Sequence, residues 1–166
     1  MLRGLARWRV PLGFASFGLA FWLATPTIGS LLVGAAVALA GQSLRVWAAG
    51  HIEKGREVTR SGPYRLMRHP LYVGSAIMAI GFGIAAASVG TAVLVLAYFL
   101  VTYVAAMRSE EATLDAKFAG EYAAYREGRA GEVVRRFSTQ RAFGQNREYR
   151  SVVGLIAVFA LLWMKV

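Results

Sequence analysis

The sequence predicts an all-α, polytopic membrane protein with about five transmembrane helices and a cytoplasmic N-terminus. Two of the three observations behind this prediction concern the composition of the 166-residue chain. Of its residues, 57% are hydrophobic and only 17% are charged, whereas about 25% of the residues in soluble domains are charged. The third is that the charges fall into clusters separated by long apolar segments. A chain of this length is expected to form a single domain, 1–166.

Five apolar segments are the candidates for these helices. They run over Val10–Ala24, Ile28–Ala49, Leu71–Ser88, Val89–Met107 and Val152–Met164. A spanning helix needs about 17–25 residues, which the middle segments reach and which the first and last reach only with help from their flanks. Pro26 predicts a turn between the first pair, because proline ends one helix and can open the next. The fourth segment follows the third with almost no connecting residues between them.

The N-terminal stretch, 1–9, superficially resembles a signal peptide because arginines precede an apolar run. It lacks an evident small-residue cleavage site, and further apolar segments follow it. We therefore expect a first membrane helix preceded by a basic cytoplasmic anchor.

The positions of the basic residues predict the topology. The net charge is +10, and the basic clusters lie at 3–9, 54–68 and 108–150. If each apolar segment crosses once, all three clusters fall on one side, which the positive-inside rule makes cytoplasmic. The chain is thus expected in a prokaryotic cytoplasmic membrane, as a multi-pass protein whose functional face meets the cytosol. The high charge then needs no nucleic-acid partner.

The single domain divides into an N-terminal helical hairpin (1–50), a central core (51–137) and a C-terminal linker with the fifth helix (138–166). Gln42 and Arg45 are polar residues inside the second apolar segment. Arg45 lies one turn from the cytosolic end of that segment, so its side chain is expected to snorkel to the interface. Gly81 and Gly83 are expected to serve helix packing. The absence of cysteine excludes disulfides and thiolate metal sites, and no metal site is predicted.

A polar stretch interrupts the apolar pattern between the second and third segments: GPYRLMRHPLYVG, Gly62 to Gly74. Pro70 disfavours a helical conformation at His69, so His69 should be extended and the third helix should begin near Leu71. The stretch is then an ordered loop that presents Tyr64, Arg68, His69 and Tyr72 at a helix start, where free backbone N–H groups can meet an anion.

The paired carboxylates Glu110 and Glu111 are the second polar feature. The fourth helix is expected to extend beyond the membrane as far as Gly128, a plausible C-cap. Both glutamates then lie within or beside an apolar stripe of that helix, where a carboxylate is costly unless paired. They either form salt bridges to the basic loops or bind hydroxyls or a cation of a small ligand, whose other end the Gly62–Gly74 loop would hold.

These two features together carry a resemblance. SGPYRLMRHPLYVG, from Ser61, followed by EEATLDAKFAGEYAAY, from Glu110, resembles the isoprenylcysteine carboxyl methyltransferase family and related phospholipid methyltransferase-like membrane enzymes. The resemblance covers about Arg45 to Phe137. It implies S-adenosylmethionine as cofactor and a lipophilic acceptor, a small molecule or lipid, that enters from the bilayer.

The resemblance also implies site residues. Cofactor-binding residues would be Val58, Thr59, Tyr64, His69, Pro70, Leu71, Tyr72 and Glu110. The catalytic candidates are Arg68 and Glu111: by its chemistry Arg68 is suited to the cofactor carboxylate, and Glu111 is the candidate for assisting an amine acceptor to lose its proton. Prenylcysteine enzymes have an arginine one turn before the first glutamate, where this chain has Ala106, so a prenylated acceptor is not specified.

Three alternatives stay open from the sequence. One is a phospholipid amine N-methyltransferase. Another is an NADPH-dependent membrane enzyme like the sterol reductases, which share the RHPxY pattern but usually have asparagine where this chain has Leu71 and lack the paired glutamates. The last is a non-catalytic helical bundle. The sequence does not predict an oligomeric state.

Overall fold

The computed structural model describes residues 13, 15–118, 120–131 and 133–166. Its helices are α1 (15–23), α2 (Ile28–Ala49), α3 (Pro70–Ala86), α4 (Val89–Lys117), α5 (Glu121–Arg126) and α6 (Tyr149–Trp163), with a 3₁₀ turn at Gly62–Arg65 and a π turn at Gln140–Gln145. No strand occurs in these described ranges, which confirms the all-α class.

Among the described residues, two helices are long and apolar enough to cross a membrane, α2 with 22 residues and α4 with 29. The helices α3 and α6 are apolar but shorter, at 17 and 15 residues. The start of the first predicted segment, 10–12, and the N-terminal basic cluster lie outside the described residues. The number of crossings and the orientation therefore stay predictions.

The predicted turn at Pro26 is present, because the chain leaves the helical conformation at 24–27. Thr27 then caps α2 in a reciprocal capping box with Ser30, which satisfies two backbone groups at the helix start. The neighbouring turn between α3 and α4 lies against this one, since the Thr25 amide donates to the Ala86 carbonyl at 2.8 Å. Lys165 reaches the same end of the bundle and donates to the Ala24 carbonyl at 2.6 Å.

Glycines bring α2 and α3 into close contact, as their small side chains predict. A Cβ atom on Gly41 would lie 2.5 Å from the Gly74 carbonyl oxygen, and one on Gly81 would lie 2.6 Å from the Ala38 amide nitrogen. The two backbones therefore pack directly against each other. This pair of helices carries the loop between residues 50 and 69 at one end.

The Gly41→Ala variant tests this contact. The added methyl group meets backbone atoms that cannot move aside, so we expect a loss of about 1–3 kcal/mol in the free energy of unfolding. Gly29→Ala in the same helix is the control, because a Cβ there has no neighbour within 4 Å and alanine favours helix. Thermal unfolding in detergent measures both, and equal melting temperatures would contradict the close packing.

The expectation for α4 is partly wrong. The helix continues beyond the apolar segment but ends at Lys117, where the prediction continued it to Gly128. Gly120 has a φ of +80°, a left-handed conformation that breaks the helix and that glycine adopts at little cost. The chain resumes as the short helix α5, and Gly128, with a φ of +71°, follows the end of α5 rather than that of α4.

Arg45 does not follow the snorkelling expectation. Its guanidinium donates to both carboxylate oxygens of Glu148, at 2.7 and 3.2 Å, and to the Ser75 hydroxyl at 2.5 Å. Glu148 is only 4% exposed, so a buried ion pair connects α2 with α3 and with the start of α6. Nearby, the Ser151 hydroxyl donates to Gln42 at 2.7 Å.

Candidate active site

The loop before α3 folds as the prolines predict. Pro70 is the first residue of α3, and His69 is its N-cap with a φ of −128°. Upstream, Gly62 has a φ of +57°, and a Cβ there would lie 2.6 Å from the His51 ring. Only glycine therefore suits both the backbone and the available space at this turn.

A cleft of about 210 Å³ lies between this loop, the chain after α2 and the far end of α4. We call it the α4 cleft. The predicted site residues that line it are Val58, Thr59, Tyr64, Arg68, His69 and Glu110. The structure thus brings together six residues that lie as much as 52 positions apart in sequence (58 to 110).

Four predicted site residues are absent from the lining of the cleft: Pro70, Leu71, Tyr72 and Glu111. Leu71 packs against the buried cluster that contains Tyr64. The hydroxyl of Tyr72 is within hydrogen-bonding reach of the Glu110 carboxylate, and its ring contacts His69, with centroids 5.7 Å apart. Leu71, Tyr72 and Glu111 thus contact residues of the lining, and the roles of all four residues toward a cofactor stay predictions.

The two neighbouring glutamates have different surroundings. Within the described ranges no salt bridge involves Glu110, and its carboxylate lines the cleft. Glu111 accepts hydrogen bonds from His69 at 2.9 Å, from Tyr122 at 3.3 Å and from Arg68 at 3.4 Å. The salt-bridge interpretation therefore describes Glu111, whereas Glu110 is the carboxylate that a ligand in the cleft can meet.

The contacts of Glu111 change its acid–base behaviour. The hydrogen bond from His69 is the main reason that the pKa of its carboxyl lies below the usual value, with a smaller contribution from the charge of Arg68. Burial raises the pKa of Tyr122 to about 12, so this phenol stays protonated and able to donate to Glu111.

The lowered pKa predicts a pH dependence of stability. The folded state favours the ionised carboxyl, so its contribution is complete above the unfolded-state pKa, near 4.5, and is lost as pH falls through the lower folded-state value. We expect the stability advantage of the wild type over Glu111→Gln to shrink on acidification. Melting temperatures of both proteins between about pH 7 and pH 3 measure this, and an advantage that stays constant or grows would contradict it.

Tyr64 and Tyr125 form the aromatic side of the cleft. The Tyr125 hydroxyl donates to the Tyr64 carbonyl at 2.6 Å, which ties α5 to the loop. The Tyr64 hydroxyl is buried and has no hydrogen-bond partner among the described residues, an arrangement that costs about 1–3 kcal/mol. Burial, followed by the charge of Glu110, raises the pKa of Tyr64, so its phenol remains a neutral donor beside the cleft.

Several lining residues were not predicted from the sequence. On α4 they follow Glu110 at helical spacing: Thr113, Leu114 and Lys117. The periodicity of that helix face could have identified them. Glu53 and Glu57, in the chain after α2, complete the wall, and no local pattern distinguishes them from other surface carboxylates.

The C-terminal segment holds that wall in place. Arg135 donates to Glu57 at 2.8 Å, and Arg141 donates to the Gly50 carbonyl at 2.9 Å. Asn146 donates to the Ala49 carbonyl at 2.8 Å. Arg141 and Asn146 thereby satisfy carbonyl groups that the end of α2 leaves unpaired.

Among the residues that the structure describes, no three His, Cys, Asp or Glu side chains are close enough together to hold a metal ion. His69 and Glu111 are in contact, but they are joined to Arg68 and Tyr122 rather than to further ligands.

Comparisons with known proteins identify the family. A family model described as phospholipid methyltransferase matches residues 8–121. The chain is 31% identical over 99 residues to the nickel-cobalt-cadmium resistance protein NccN of Alcaligenes xylosoxydans xylosoxydans, covering 58% of this chain and 45% of that protein. It is 35% identical over 129 residues to the cobalt-zinc-cadmium resistance protein CzcN of Cupriavidus metallidurans, covering 71% of this chain and 57% of that protein.

The chain thus spans about half the length of the curated relatives it matches. No solved structure matches it. The family match includes the loop, both glutamates and the residues that join them, and it ends before the C-terminal segment that supports the cleft. The resemblance seen in the sequence is therefore confirmed, and the chain belongs to the phospholipid methyltransferase family of membrane methyltransferases.

Proposed function

We propose that this protein transfers a methyl group from S-adenosylmethionine to a lipophilic acceptor that reaches it from the bilayer. The observation that carries the proposal is the α4 cleft, where Glu110 faces open space without a salt-bridge partner in the described ranges. Arg68 and His69 of the loop line the same cleft, so the cleft offers groups for both charges of a zwitterionic ligand.

The charges of the cleft fit this cofactor. Its described lining holds three acidic residues (Glu53, Glu57, Glu110) and three basic ones (Lys54, Arg68, Lys117). S-adenosylmethionine carries a carboxylate, an ammonium group and a sulfonium, which a mixed lining of this kind complements. NADPH carries several phosphate charges and calls for an excess of cations. The balance of charge therefore favours the methyl donor over the reductase alternative.

Each cofactor group has a partner of suitable chemistry. Arg68 suits the carboxylate, and Glu110 suits the ammonium group or the ribose hydroxyls. The rings of Tyr64 and Tyr125 suit the adenine or the sulfonium. The buried hydroxyl of Tyr64 lacks a partner in the described structure, and a ligand that shifts this ring would allow the hydroxyl to be satisfied.

The bound cofactor supplies a methyl group that is already activated, so the protein contributes mainly alignment and exclusion of water. A carboxylate acceptor needs no base. An amine acceptor must first lose a proton, and the lowered pKa of Glu111 makes it a weak base. We therefore propose that Glu111 orients the ring of His69, with which it forms a hydrogen bond of 2.9 Å. His69 is then the residue that accepts the proton of the amine. The family match favours a phospholipid amine as the second candidate acceptor.

The fold supports the proposed topology of five crossings with a cytosolic cleft. Both short turns, at 24–27 and at 87–88, lie at the same end of the bundle as Lys165. Every other charged residue of the described ranges belongs to the opposite end, which includes the cleft. By the positive-inside rule we therefore expect the cleft to face the cytosol, where a water-soluble cofactor can enter.

Ligand-dependent thermal stability tests the cofactor assignment. We expect S-adenosylhomocysteine at about 100 times its Kd to stabilise the purified protein by about 2.7 kcal/mol, because only a ligand that binds the folded state raises the melting temperature. NADPH is the matched comparison. Stabilisation by NADPH alone would replace the methyltransferase proposal with the reductase alternative.

A further inference from the structure

A second cleft, of about 720 Å³, adjoins the first, and Tyr125 is the one described residue that lines both. It is formed by the end of α2, the turn at Gly62–Arg65 and the chain that follows α5. We call it the arginine cleft. The proposed methyl transfer assigns it no role.

The described lining of the arginine cleft is basic, whereas a second site for the zwitterionic cofactor would need both acidic and basic groups. Arg60, Arg65 and Arg135 line it, and its described lining contains no carboxylate. The α4 cleft, by contrast, is lined by acidic and basic residues in equal number. The arginine cleft is therefore suited to an anion rather than to a zwitterion.

Two of these arginines are held in place from outside the lining. Arg60 donates to Glu121 at 3.0 Å, and Arg135 donates to Glu57 at 2.8 Å. Arg135 also lies 3.6 Å from Glu53 and donates to the His51 carbonyl at 3.4 Å, whereas the Nε of Arg60 is buried without a hydrogen-bond partner among the described residues. Each guanidinium has five N–H donors in a planar fork, so donors remain for the cleft. A fixed guanidinium loses little freedom on binding, and its fork matches the paired oxygens of a carboxylate or a phosphate.

The remaining lining indicates that the anion belongs to a lipid. Trp47, at the end of α2, is 42% exposed, and Leu66, after the turn, is 74% exposed. Tryptophan is enriched at membrane–water interfaces. An exposed apolar side chain contributes nothing to the binding of a fully hydrated ion. A basic cleft with apolar edges, at the end of a helix long enough to cross a membrane, matches the headgroup level of an anionic phospholipid.

We propose that the arginine cleft binds the phosphate of an anionic phospholipid headgroup and so fixes the Gly62–Arg65 turn, which separates the two clefts, at the membrane surface. The turn carries Tyr64 into the α4 cleft and Arg65 into the arginine cleft. This site is additional to the proposed methyl transfer and does not depend on it.

Melting temperatures in lipid nanodiscs test the proposal. We expect the wild type to melt about 3 °C higher or more in phosphatidylglycerol than in phosphatidylcholine. The difference should fall by at least half in Arg65→Gln and in Arg60→Gln, which alter separate parts of the lining. Arg56→Gln is the matched control, since Arg56 is 78% exposed and lines neither cleft; it should retain the difference.

Further arms identify the source of the anion. Inorganic phosphate and glycerol 3-phosphate, added to protein in phosphatidylcholine, should give little stabilisation. If they reproduce the full effect of phosphatidylglycerol, the site binds a soluble anion and the lipid assignment is wrong. An equal melting temperature in both lipids, or an equal loss in the Arg56→Gln control, would also overturn the proposal. None of these readouts uses S-adenosylmethionine, so they are independent of the cofactor assignment.

Discussion

Replacing Glu110 with glutamine is expected to weaken the binding of S-adenosylmethionine roughly 10- to 100-fold. The substitution keeps the size of the side chain and removes its charge, and a hydrogen bond to a charged group contributes about 1.5–3 kcal/mol. Glu110 is the carboxylate of the neighbouring pair that lines the α4 cleft, and no salt bridge in the described ranges occupies it. Calorimetric titration with S-adenosylhomocysteine measures the change.

Glu127→Gln is the matched control for this titration. Glu127 also lies beyond the apolar part of α4, but it is exposed, pairs with Arg129 and is absent from the lining of the cleft. It should bind the ligand as the wild type does. Affinities of Glu110→Gln within twofold of the wild type would show that the cofactor, if it binds, lies elsewhere.

Breaking the ion pair between Arg45 and Glu148 is expected to have the largest effect on stability. Glu148→Gln leaves a guanidinium largely buried without its carboxylate, and removal of one partner of a buried pair costs about 3–5 kcal/mol. The loss should also reach the first turns of α3, because Arg45 donates to Ser75 at 2.5 Å and the Ser75 hydroxyl donates to the Leu71 carbonyl at 2.9 Å.

A double variant separates the charge from the packing. Arg45→Met with Glu148→Leu removes both charges and keeps apolar volume, so it should be more stable than either single variant. Glu127→Gln again serves as the control, since its exposed pair is worth at most about 1 kcal/mol. This role would be contradicted if Glu148→Gln had the melting temperature of the wild type, or if the double variant were less stable than both single variants.

Local chemistry explains which parts of the fold could be predicted from the sequence. Pro26 and Pro70 act on the residues beside them, so the first hairpin and the start of α3 were predicted within a residue or two. The close packing at Gly41 and Gly81 follows from the absence of side chains there. The family resemblance then connected the loop with Glu110, although 41 positions separate His69 from Glu110.

The remaining features depend on contacts that are distant in sequence. Glu110 and Glu111 are adjacent, and only the tertiary positions of His69 and Tyr122 decide that one is paired and the other faces the cleft. Arg45 finds its partner 103 positions away, which no local pattern reveals. The break of α4 at Gly120 required a left-handed φ, and glycine permits this conformation without dictating it.

The most direct test of the central claim is methyl transfer by the purified protein in lipid. Incubation with methyl-labelled S-adenosylmethionine and a native lipid extract is expected to place the label in a lipophilic product, and the Glu110→Gln variant is expected to lose most of this transfer. If no labelled product forms and S-adenosylhomocysteine leaves the melting temperature unchanged, the α4 cleft is not a methyl-donor site.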